Sequence, residues 1–157
     1  MNYNEFIKKH QEVILGGDIT ESYVDDCLDI IQEMAANLEK GMKSQLIRIF
    51  MHLLKYQFQP IKQSRSWINT IRSASNEINK IKQKNKSIWN VFGDDHLNDI
   101  YIKAVNEACK DTGLNIRNFP LQRPDYFTKE NMADLQFIEN YLRRYVYSDE
   151  AKDVLSL

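Results

Sequence analysis

Apolar residues recur every three or four positions along most of this chain, and that period fits α-helices and argues against strands. Phe6, Ile7, His10, Val13 and Ile14 form the first stripe, which Gly16-Gly17 closes. Asp18, with Glu21 three positions on, makes a capping-box-like start for a second helix. Tyr23, Cys27, Ile30, Ile31, Met34 and Leu38 then line its expected core face. Gly41 is expected to interrupt. A third helix over about 42–58 turns Leu46, Ile49, Phe50, Leu53, Leu54 and Phe58 inward until Pro60 breaks it.

A fourth helix, over about 65–84, carries Trp67, Ile68, Ile71, Ala74, Ile78 and Ile81 on its inner face, which makes Trp67 a core anchor. After a turn around 87–92, Asp94 is a plausible cap for a helix with Leu97, Ile100, Tyr101, Ala104, Val105 and Ala108, which Gly113 stops. Residues 114–127, with two prolines, read as irregular. Thr128 opens a last helix bearing Met132, Leu135, Ile138, Leu142 and Tyr145. The expected fold class is all-α: a single-domain helical bundle of about six helices over 1–157. Only five Gly and three Pro leave little material for the many turns of a β-sandwich.

At 157 residues, 43% of them apolar, the chain can hold a core without metal or disulfide. Cys27 and Cys109 accordingly read as free thiols on apolar faces. The opening MNYNEFIKKH lacks the apolar run of a signal peptide, and no window approaches the ~20 apolar residues of a membrane span. The expected compartment is the cytoplasm, with no membrane partner.

The net charge of −1 hides a segregation. Residues 1–40 hold nine acids and three bases, residues 41–87 one acid and ten bases, and residues 88–157 twelve acids and eight bases. On the second helix Glu21, Asp25, Asp29 and Glu33 repeat at intervals of four, with Asp26 beside them. Like charges at that spacing destabilise an isolated helix, so helix stability does not explain the pattern. Basic residues of 43–86 could neutralise this face inside the fold; alternatively, it is exposed and steers a basic partner.

Catalytic and metal signatures are missing. His10, His52 and His96 each stand without a ligand-spaced companion; His96 beside Asp95 and Asp99 comes nearest, and acids there read as caps. There is no phosphate-binding Gly loop and no GxSxG elbow. Arg48 and His52 share a helix face and could in principle bind a phosphate and move a proton. They are four positions apart, and the three residues between them are one fewer than the arginine–histidine pattern of HEPN-type helical nucleases has. The expectation is therefore no enzyme and no cofactor, with His52 a packing residue.

The stretch from Ser44 to Arg72 resembles the signature of a bacterial family known as domain of unknown function number twenty-nine. The matching positions are Ser44, Leu46, His52, Leu53, Leu54, Lys55, Gln57, Pro60, Ser64, Ser66, Trp67, Thr70 and Ile71. Thr112–Leu114 and Phe119-Pro120 resemble its C-terminal motif, so the similarity covers about 5–130. The chain departs where a Cys-Pro-Tyr-Thr becomes Arg123–Thr128, and in a helical extension over about 128–157. The resemblance implies an all-helical fold. It carries no established activity, so no site residue transfers.

These features point to a non-catalytic protein-binding helical module, of the kind that inhibits a basic toxin such as a nuclease. Glu21, Asp25, Asp26, Asp29 and Glu33 are its expected contact residues. The alternative is weak, sequence-blind association with nucleic acid through 43–86, although no recognition motif surrounds that segment.

Overall fold

A computed structural model describes residues 2–157, and they are all-α. Eight α-helices and two short 3-10 turns follow one another: α1 (Tyr3–Ile14), α2 (Glu21–Phe58), α3 (Arg65–Lys84), α4 (Lys86–Val91), α5 (Asp94–Thr112), α6 (Lys129–Met132), α7 (Leu135–Arg144) and α8 (Asp149–Val154). The 3-10 turns are Pro60–Lys62 and Ile116–Asn118. No strand occurs among the described residues. The chain divides into two compact units, Met1–Glu39 and Lys40–Leu157.

Several boundaries differ from the sequence expectation. Gly41 does not interrupt: α2 runs through it as one helix of 38 residues. A glycine in a helix interior costs only ~1 kcal/mol relative to alanine, little against the burial of Met42, Leu46, Ile49 and Phe50 that follows. The start of α2 is capped by Thr20, whose Oγ1 accepts from the Tyr23 amide at 3.1 Å, and not by Asp18. At α5 the cap residue is Gly93, which leaves Asp94 in the first turn. The turn at 87–92 contains α4, because Ile88 and Trp89 are buried. Thr128 does cap a helix, but Asp134 takes a second capping role by accepting from Gln136 and Phe137, and Ser148 a third. The expected last helix is therefore three. Gly16 (φ +101°) and Gly113 (φ +73°) end α1 and α5 in the left-handed region, where a side chain would be strained.

Unit 1 is thinly packed. Phe6, His10 and Tyr23 stack with centroids 5.9–6.5 Å apart, and His10 bonds to the Tyr23 hydroxyl. Tyr23 and Ile30 are its buried hydrophobic residues.

Unit 2 holds the core. α3 packs against α4, α6, α7 and α8, burying Ile68, Ile71, Ala74 and Ile78. Ser64 caps α3 through its Oγ, which accepts from the Trp67 amide at 3.2 Å. Ser75 Oγ donates to the Met132 carbonyl at 2.7 Å, tying α3 to α6. Tyr56 of α2 donates to the Leu142 carbonyl at 2.7 Å, and Tyr141 of α7 donates to Gln57 Oε1 at 2.7 Å. Cys27 and Cys109 are free thiols, each half-buried. No helix of the described residues is long and apolar enough to cross a membrane.

Candidate partner-binding surface

Glu21, Asp25, Asp29 and Glu33 are exposed, and among the described residues none of them enters an ion pair. Asp26 is half-buried and pairs with Lys9 at 3.6 Å, so it belongs to the internal bracing of unit 1. The four open carboxylates form a band along α2, because residues four apart advance by about 40° around a helix of 3.6 residues per turn.

Five bases of the basic segment have partners within unit 2. Lys55 bonds Asp111, Arg72 holds Glu139 through two bonds of 2.6 and 2.9 Å, and Arg65 faces Asp153 at 3.8 Å. Lys80 pairs with Glu77 at 3.1 Å, and the Lys82 ammonium lies 5.6 Å from the Trp89 ring centroid. These contacts fall on acids and aromatics of unit 2.

The expected core face of α2 is largely exposed. Tyr23 and Ile30 are buried and Cys27 is half-buried, but Ile31 is 61% and Met34 51% exposed, with Leu38 also open. Val24 and Leu28 are exposed as well. Val24, Leu28, Ile31, Ala35 and Leu38 repeat at four, three, four and three residues, the spacing of a coiled-coil seam. On a helix wheel this seam lies beside the acid band, between it and the face that buries Tyr23 and Ile30. Sequence periodicity flagged an apolar stripe but could not separate a packed one from an open one. Net charge sharpens the contrast: residues 1–39 carry nine acids and two bases, −7, and residues 40–157 therefore +6 of the total −1.

Arg48 and His52 do come close in space. The His52 Nδ1 proton is donated to the Arg48 carbonyl at 2.9 Å, and burial lowers the imidazole pKa below its usual 6.5. His10 lies in the unit 1 stack, and His96 sits against Phe92 at 5.7 Å. No group of three or more His, Cys, Asp or Glu among the described residues is arranged to hold a metal ion.

A family model described as "Domain of unknown function DUF29" matches residues 2–138. Neither a curated protein nor a solved structure matches the chain.

Proposed function

The chain belongs to the DUF29 family, whose function is not assigned, and from that premise we propose that it is a non-catalytic protein-binding module whose N-terminal unit docks a basic amphipathic helix of another protein. The observation that carries this reading is the exposed seam Val24–Leu28–Ile31–Leu38 with unpaired Glu21, Asp25, Asp29 and Glu33 alongside it. A helix laid on the seam would bury apolar side chains on both sides. Lysines or arginines at its flanks would meet the carboxylates, as charged positions flank a coiled-coil seam. Exposed apolar patches rimmed by charge are characteristic of interaction sites. A basic toxin of the nuclease class is the partner whose charge fits best, with the module acting as its inhibitor in the cytoplasm.

The test begins with capture from the source cells and purification of the captured partner. Asp25→Lys with Asp29→Lys should weaken its binding by about tenfold or more, since charge complementarity governs encounter. Leu28→Glu with Ile31→Glu should abolish it, because the seam supplies the buried area. Undiminished binding by both variants would remove this surface from the function.

A further inference from the structure

A cleft of about 620 Å³ opens between α2 and α5 in unit 2. Ile47, Arg48, Met51 and His52 line it from α2, with Lys103, Glu107 and Lys110 from α5. Its charge is lopsided. Among the described residues Arg48 and Lys103 enter no ion pair, while Lys110 shares the exposed Glu107 at 3.6 Å. Two cations on facing helices thus have no carboxylate of their own, which is the arrangement that recruits an anion.

His52 adds a polar edge. A carbonyl oxygen can only accept, so the bond to Arg48 fixes the proton on Nδ1 and leaves Nε2 of the neutral ring free. The charged groups around this ring are Arg48 and Lys55 of α2, with Lys103, Glu107, Lys110 and Asp111 of α5. Two of these do not compete for a ligand, since Lys55 and Asp111 bond each other. The walls are not purely polar: Ile47 and Met51 supply an apolar surface. Ligand sites are typically ~300–1,000 Å³, apolar with a few converging polar groups, and this volume far exceeds the needs of a lone phosphate.

We propose that this cleft binds a nucleoside phosphate, with Arg48 and Lys103 holding the phosphoryl oxygens and Ile47 and Met51 packing the base. His52 borders the phosphoryl position and takes up a proton when the dianion arrives, because an adjacent negative charge favours the imidazolium. This site lies wholly in unit 2 and is independent of the docking seam on unit 1.

The experiment is an NMR titration of the His52 ring in the full chain, with adenosine 5′-monophosphate, inorganic phosphate and a short oligoribonucleotide as separate probes. The monophosphate should move the ring signals saturably and raise the His52 pKa, at concentrations about tenfold below those of inorganic phosphate. Arg48→Glu and Lys103→Glu should each raise the required concentration by about tenfold or more. Both are exposed positions, and unchanged circular dichroism would confirm that the fold is intact. The proposal is overturned by an unsaturable response to the monophosphate, or by equal affinity for inorganic phosphate. Unaltered binding in both variants would overturn it as well. Oligoribonucleotide binding far tighter than the monophosphate would also overturn it and make the cleft a nucleic-acid site.

Discussion

The Lys55 ammonium lies 4.6 Å from the centroid of the Trp67 ring. Lys55 is only 4% exposed, and the Asp111 carboxylate bonds it as well. A buried ammonium is costly unless paired, and here an anion and an aromatic face share the task. Trp67 is therefore half-buried and caps a charge, a correction to its expected place as a core anchor. Trp67→Ala should cost about 2–4 kcal/mol, below the full range for core aromatics, through lost packing and cation–π contact. Asp111→Asn should cost about 1–3 kcal/mol by leaving Lys55 without its anion. Urea midpoints measure both; an unmoved midpoint in both variants would mean that the pair does not brace the fold.

Acidification should weaken the fold in two stages with distinct owners. Burial lowers the His52 pKa below 6.5, so the folded state disfavours the imidazolium. Its contribution is complete above pH 6.5 and declines as the pH falls from there toward the folded-state value. The bond from Lys55 holds the Asp111 carboxyl below its usual 3.8, so its contribution is present above that pH and is lost as pH falls through the lower folded-state value. In stability–pH profiles, His52→Gln should remove the first stage and Asp111→Asn the second.

Gln63 joins the segment after Pro60 to the C-terminal helices. Its Nε2 donates to the carbonyls of Tyr56 at 2.8 Å and Tyr145 at 2.7 Å, while its Oε1 accepts from the Tyr147 amide at 2.8 Å and the Ser148 amide at 3.2 Å. The side chain is buried, so Gln63→Ala should orphan several backbone groups and cost about 2–4 kcal/mol. Tyr141, Leu142, Ala151 and Leu155 are buried too, although the family match ends at 138. Truncation after residue 138 should abolish cooperative unfolding of unit 2, as read by circular dichroism against urea.

Gly41 offers a test of the continuous second helix. A Cβ built there meets nothing within 4 Å. Gly41→Ala should stabilise by about 0.5–1 kcal/mol if the position is ordinary helix, and should destabilise if the chain turns there.

Helical period disclosed the all-α class and the positions of α3 and α5, and glycine's tolerance of the left-handed region the stop at Gly113. What it could not carry was competition between local signals. Gly41 looked like punctuation because propensity is local, whereas the burial of Met42 and Leu46 is tertiary. The single last helix became three because Asp134 and Ser148 cap with their side chains, a choice open to those residue types but not forced on them. The acidic residues of the site were legible as a four-residue repeat. Of the seam beside them, Ile31 and Leu38 were read as core and Val24, Leu28 and Ala35 were not singled out, since period reports that a stripe exists and not what covers it. Gln63 carried no signal at all: a buried glutamine is recognisable only through its partners.

Docking through unit 1 is tested most directly by the association rate of the purified partner as ionic strength rises. With the native chain, the rate should fall steeply between low and physiological salt, because exposed carboxylates steer by screened attraction. In Asp25→Lys with Asp29→Lys that salt dependence should flatten, with the rate at low salt down by about tenfold and the melting temperature nearly unchanged. An association rate insensitive to salt in the native chain, or equal in the two proteins, would contradict docking on the acidic band of α2.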